Sequence, residues 1–220
     1  PELNRRLAGL AKKRQAGYPI AYLVGQKEFY GLGLAVNSRT LVPRPETEMI
    51  VDLILEDLIR RPRPLRIIDI GTGSGAIIIS LAHEIKKRWP GLFASSRFLG
   101  TDISSGALKI ARQNAKNHGL DARADKSGVS FRIGDLWSAA AKFEADTRLN
   151  RRPALQTGAP LDLVITANLP YLTPAQIKDS PSIRKEPRLA LDGGADGLKY
   201  YREFFKQLRN AKAHRKMPPI

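Results

Sequence analysis

The sequence contains no cysteine. Disulfide bridges and thiolate metal sites are therefore excluded, a pattern that fits a reducing compartment, and a cytoplasmic protein is expected. Histidine is almost as scarce. His83, His118 and His214 stand singly, which leaves no His-rich metal centre to look for. Long hydrophobic runs are missing too: stretches such as Ala76 to Ile79 break within a few residues, far short of the roughly 20 needed to cross a bilayer, so no membrane partner is expected. The last shortage is of acid. Against 21 acidic residues stand 37 lysines and arginines, a formal net charge of +16. Such a charge favours encounter with an acidic partner, and weak RNA or ribosome association through a basic surface is one expectation. The basic residues are spread along the chain without interleaved aromatics, so a solvated surface is the plainer reading and a dedicated nucleic-acid groove the alternative.

What the chain does have is enough length, 220 residues, to bury a substantial core, with a composition typical of globular domains. Leu3, Leu7, Leu10 and Ala11 recur at helical spacing and predict a basic helix over Glu2 to Arg14, stopped by Gly17 and Pro19. "KEFYGLGLAVNSRTLVPRP" mixes aromatic and β-branched residues with glycines and ends in prolines, which predicts a hairpin or extended linker. A helix from Glu46 follows, with Thr47 as its expected cap and Ile50, Leu53, Ile54 and Leu58 along one face.

From there strands and helices alternate. Arg66 to Ile70 reads as a strand running into "GTGSG", Ala76 to Arg88 as a helix, and Arg97 to Gly100 as a second strand. Ser104 or Ser105 caps a helix that stops at Gly119, and "VSFRIGD" is a third strand. The stretch 138–160 reads as a long surface loop with no functional reading, and Leu161 to Ala167 as the fourth strand. A helix over about Gly197 to Lys212 comes last. The fold class is α/β, with a doubly wound parallel sheet whose ligands sit beyond the carboxyl ends of the strands.

Every chemically pointed feature falls at such an end. Asp69 closes the first strand, and Gly71, Gly73 and Gly75, with Thr72 and Ser74 between them, form the turn into the helix. The spacing is G-x-G-x-G with an acid ahead of it, which suits a cationic ligand better than the pyrophosphate favoured by G-x-G-x-x-G. Asp102 ends the second strand, where a carboxylate can accept from both hydroxyls of a ribose. Asp135 follows the third, able to accept from an adenine amino group while Leu136 or Trp137 packs on the ring.

Together these residues resemble the S-adenosyl-L-methionine site of class I methyltransferases, across Arg66 to Tyr171 in the family's order. The resemblance implies a Rossmann-like sheet and S-adenosyl-L-methionine as cofactor. Its cofactor-binding residues would be Asp69, Gly71, Thr72, Gly73, Ser74, Gly75, Asp102, Asp135, Leu136 and Asn168. At the end of the fourth strand, Asn168, Leu169, Pro170 and Tyr171 are similar to the (N/D)PPY signature of enzymes that methylate a planar nitrogen. The resemblance makes these four the catalytic set. The Asn168 oxygen and the Leu169 carbonyl would orient the acceptor's NH2, and Tyr171 would stack on its plane.

Three flanking blocks, "GYPIAYLVGQKEFYGL", "LVPRPETE" and "KEPRLALDGGADGLKYYREF", resemble the HemK/PrmC family of release-factor glutamine methyltransferases. That likeness implies a class I peptide-chain release factor as partner and the glutamine of its GGQ loop as acceptor. It also implies a division into 1–25, the last helix and exit of a helical substrate-recognition domain; 26–45, a hairpin linker; and 46–220, a methyltransferase domain incomplete at its C-terminus. Arg44, Glu46 and Glu48 are expected either near the active-site mouth or in salt bridges that fix the linker, and Glu186 and Pro187 to shape the substrate-side loop. Leu169 departs from the usual first proline. An NLPY form also occurs in rRNA adenine dimethyltransferases, so a nucleic-acid adenine methyltransferase is the alternative, and an inactive basic RNA- or ribosome-binding module a third reading.

Overall fold

In the computed structural model, residues 2–122, 128–145 and 161–213 are described. A helix α1 (Glu2–Gln15) and a short α2 (Ile20–Val24) lead into an antiparallel hairpin of β1 (Gln26–Phe29) and β2 (Leu32–Ala35). Its two-residue loop, Tyr30 and Gly31, holds both residues at positive φ (52° and 73°), the geometry whose twist matches a hairpin's strands. Of the two readings the sequence left open for this stretch, the hairpin is the one adopted.

A 3-10 turn, Pro45–Thr47, precedes α3 (Glu48–Arg60). The expected cap is corrected here: Thr47 has a helical backbone, φ −73° and ψ −18°, and its hydroxyl makes no capping bond, because the 3-10 turn has already begun the helix before it. The alternation continues with β3 (Leu65–Ile70), α4 (Ala76–Arg88), α5 (Pro90–Ser95), β4 (Arg97–Asp102), α6 (Ser105–Asn117) and β5 (Val129–Ile133). Next come α7 (Leu136–Ala145), β6 (Asp162–Ala167), α8 (Pro174–Asp179) and α9 (Lys199–Ala213). The helix α7 corrects the expected loop over 138–160, at least to Ala145. Trp137, Ala140 and Phe143 recur at three-residue spacing and are buried, which is the helical signal that the polar neighbours obscured. The rest of that stretch, 146–160, lies outside the described residues.

The four sheet strands run parallel in the order β5-β4-β3-β6, with Ile68 opposite both Leu99 and Ile165. Strands buried on both faces are apolar on both, and in "LRIIDI" Leu65 and Ile67 supply one face and Ile68 and Ile70 the other, with Arg66 and Asp69 the exceptions. Leu65 and Ile67 enter a core shared with Val51, Leu55 and Leu58 of α3 and Ile78 and Leu81 of α4. Ile68 and Ile70 enter the opposite one, with Trp137, Phe143, Leu169 and Phe204. Each wholly buried leucine or isoleucine contributes about 1.5–3 kcal/mol, so this double burial pins the register that aligns the strand ends. Successive crossovers carry the chain outward from β3 to β5, then return it to the far side of β3 for β6. That reversal in strand order lies between β3 and β6, and it opens a crevice at their carboxyl ends.

Candidate active site

A cavity occupies that crevice, and four strand ends contribute to its wall. Gly71, Thr72, Gly73 and Ser74 come from the turn after β3; Asp102, Ile103 and Ser104 follow β4. Gly134, Asp135 and Leu136 follow β5, and Asn168, Leu169 and Pro170 follow β6. The linker closes one side with Arg39, Thr40, Leu41, Arg44 and Thr47, and Pro187, Leu189 and Tyr200 close another.

The glycine turn is held from below. Thr72 and Thr166 each donate a side-chain hydroxyl to Asp69, at 2.6 and 2.8 Å, and the Thr72 N–H donates to the Thr101 carbonyl at 2.8 Å. Asp69 is 1% exposed and is not among the residues lining the cavity; each of its carboxylate oxygens accepts from a threonine, and it braces the turn from behind. Burial pushes its carboxyl up to about 6, against the two hydroxyl bonds that pull it down. Gly75 is likewise outside the wall. A Cβ there would lie 2.6 Å from the Ile79 side chain, so its role is close packing of turn on helix. At Gly73, by contrast, a Cβ would meet nothing within 4 Å. The turn thus presents bare backbone to open space on the cavity side.

Asp102 does reach the cavity. Its two oxygens accept from the backbone N–H groups of Ser104 (2.8 Å) and Gly73 (2.9 Å), which fixes the carboxylate in one orientation and partly offsets the upward push of burial on its pKa. Each oxygen keeps a further lone pair, the arrangement a vicinal diol requires. Asp135 and Leu136 stand together on the wall beyond β5. Leu136 is held at φ 43°, a left-handed conformation that costs a branched residue about 1–2 kcal/mol. It is buried in the core as well as lining the cavity. The set fits a nucleoside: a carboxylate for a diol, a second acceptor for an exocyclic amine, apolar Ile103 and Leu136 for a ring, and bare glycine backbone for the tail.

Across the crevice, Asn168 donates its side-chain nitrogen to the Thr47 hydroxyl at 3.2 Å. Leu169 is 3% exposed, and a Cβ on Gly71 would lie 3.3 Å from its side chain. The leucine that replaces a ring is thus held by packing against the glycine turn. Tyr171 is 57% exposed and lies outside the cavity wall, whereas the Tyr201 phenol comes against the Leu169 backbone; burial raises its pKa and that hydrogen bond lowers it.

The linker residues divide between the two expectations. Arg44 lines the cavity, yet it pairs with Glu186 at 2.6 Å, and the second Glu186 oxygen accepts from the Val42 N–H at 2.9 Å. Glu48 accepts from the Tyr30 N–H at 2.9 Å and so fixes the hairpin loop on α3. Two residues were not anticipated. Thr47 looked like a cap, and nothing local links it to Asn168. Asn114, in the middle of α6, is wholly buried: it donates to the carbonyls of Ser74 (2.9 Å) and Ala35 (3.0 Å) and accepts from the Ala35 N–H (2.8 Å). A polar residue at a core-facing helix position was the available signal.

A methyltransferase-domain family model matches residues 63–211. The release factor glutamine methyltransferase of Moorella thermoacetica is 41% identical over 191 residues, 86% of this chain and 56% of that protein. The one from Bradyrhizobium diazoefficiens is 41% identical over 207 residues, 92% of this chain and 59% of that protein. The chain therefore spans less than two thirds of the length of these relatives. Among solved structures, the hMettl16 catalytic domain in complex with MAT2A 3'UTR hairpin 1 aligns with a TM-score of 0.51 at 18% identity, over 89% of this chain and 60% of that one. At that identity the likeness concerns the fold alone.

Proposed function

The chain belongs to the methyltransferase-domain family, and from that premise we propose that it transfers a methyl group from S-adenosyl-L-methionine to the side-chain amide nitrogen of the GGQ glutamine in class I peptide-chain release factors. The observation that carries the reading is the meeting of two strand ends in one cavity: Asn168 to Pro170 face the glycine turn and Asp102 across the switch point, with Leu169 packed on Gly71. The activity for which the relatives are named, at 41% identity over most of this chain, supports the choice of acceptor.

Gly71 to Ser74, Asp102, Asp135 and Leu136 would hold the cofactor. When bound, it supplies an electrophilic methyl group on a sulfonium. An amide nitrogen is a weak nucleophile because its lone pair is delocalised, so the protein's task is to orient and desolvate it. The Asn168 side-chain oxygen and the Leu169 carbonyl would accept the two N–H bonds of the glutamine amide, turning its π face toward the methyl. Tyr171, exposed at the rim, would close over that plane as the acceptor loop enters. Transfer would exchange the donor's S–C bond for a new C–N bond on the amide, and the displaced proton would leave to solvent, with no strong base required.

A release factor as partner would put the chain with the translation machinery in the cytoplasm. The +16 charge would add a weak, salt-sensitive attraction to ribosomal RNA. Among the described residues, no helix is long and apolar enough to cross a membrane. The test is incubation of the purified chain with S-adenosyl-L-methionine and a release factor, followed by mass spectrometry of the GGQ peptide. One added methyl on the glutamine is expected. An unmodified glutamine alongside methylated adenine in an RNA control would overturn the reading.

A further inference from the structure

We propose that Thr47 is a positioning residue of the acceptor site: its hydroxyl holds the nitrogen end of the Asn168 amide and so turns the oxygen end toward the acceptor. The inference rests on the reading of Asn168 as an acceptor ligand. A threonine directly before a helix ordinarily caps it by accepting a backbone N–H from the first turn. Thr47 does not, since its backbone is already helical and its hydroxyl makes no capping bond. That hydroxyl instead accepts from the Asn168 side-chain nitrogen at 3.2 Å, from a residue 121 positions away, and both residues line the same cavity.

The contact matters because an asparagine amide is nearly symmetric in shape and opposite in function at its two ends. Rotation by a half turn exchanges oxygen for nitrogen at little steric cost. In the productive orientation the oxygen accepts from the acceptor's NH2. In the reversed one, two N–H groups face two N–H groups, and the acceptor's nitrogen is no longer aimed. With its nitrogen donating to the Thr47 hydroxyl, the Asn168 amide has its oxygen end free for the acceptor's NH2, which is the productive orientation. The contact also carries the linker's position into the site, because Thr47 lies three residues beyond Arg44, which Glu186 holds at 2.6 Å.

Thr47→Val removes the hydroxyl at nearly constant volume on a half-buried residue, and Thr47→Ser keeps it. In the 15N-labelled full chain the Asn168 side-chain amide signals are assigned by their loss in Asn168→Asp. They are expected to shift, and to exchange faster with solvent, in Thr47→Val, and to stay at their wild-type positions in Thr47→Ser. Unmoved Asn168 signals in Thr47→Val overturn the inference. With a release factor as acceptor, kcat is expected to fall about tenfold in Thr47→Val while the KM for S-adenosyl-L-methionine changes by less than about twofold, and Thr47→Ser to restore the rate. A wild-type kcat in Thr47→Val overturns it equally. The amide signals need no acceptor, so a wild-type chain that leaves the glutamine unmodified refutes the acceptor reading while the Thr47 contact is still decided by the spectrum.

Discussion

Asp69 shows how a strand-end carboxylate can serve a site without touching its ligand. Its proton is held to about pH 6, against an ordinary 3.8, by burial that outweighs two threonine hydroxyls. Between those values the folded chain holds a proton that the unfolded chain releases, so stability rises as pH falls through the window and declines as pH rises through 6. The span corresponds to an upper limit of about 3 kcal/mol. Asp69→Asn should flatten that part of the curve, which urea melts of both proteins between pH 4 and pH 7 would show; parallel curves would mean the carboxyl titrates normally. Asn168 is proposed to act at the same scale but on the reaction. Replacing it by alanine would remove one of the two proposed acceptors for the glutamine amide, and kcat should fall by about a hundredfold or more with little change in thermal stability. Single-turnover methyl transfer measures this directly. Asp102, Asp135 and the glycine turn could be read from the chain because each follows an apolar strand. The same pattern does not show that Asp69 faces two threonines, since nothing local distinguishes a carboxylate facing a cavity from one turned to its neighbours.

At the scale of elements, the hairpin and linker are fastened to the sheet domain by buried polar contacts. Glu186 takes both the Arg44 guanidinium and the Val42 N–H, and Asn114 takes the Ala35 backbone and the Ser74 carbonyl. Removing either leaves backbone groups or a charge without partners in a dry setting. Glu186→Ala and Asn114→Ala should each cost about 2–4 kcal/mol, read from chemical denaturation. Asn114→Ala should also weaken cofactor binding, because the Ser74 carbonyl belongs to the glycine turn; calorimetric titration with S-adenosyl-L-homocysteine gives that effect separately. The alternation of β3 to β6 was legible because parallel strands must be apolar on both faces. Three short helices were not. α2 and α5 span less than two turns, too short for periodicity to register, although the Thr173–Gln176 capping box of α8 could have been found. The α7 helix was obscured for a different reason: the polar residues that follow it in the sequence set the tone of the whole stretch 138–160.

The whole molecule combines a cavity at the strand ends with a net charge of +16. The two should respond differently to salt. Raising ionic strength from about 0.05 M to about 0.3 M should weaken association with a generic RNA by at least about an order of magnitude, since bound counterions are no longer released at a gain. Cofactor affinity, set by hydrogen bonds inside the cavity, should change by less than about twofold. Fluorescence titrations in the two buffers would separate these; salt-insensitive RNA binding would point to a built groove. The central claim concerns what enters the cavity opposite the cofactor turn. Its most direct test is mass spectrometry of the GGQ peptide from a release factor after incubation with the chain and S-adenosyl-L-methionine. One methyl group on the glutamine amide, lost in Asn168→Ala, is the predicted result. A glutamine left unmodified by a folded, cofactor-binding chain would contradict it.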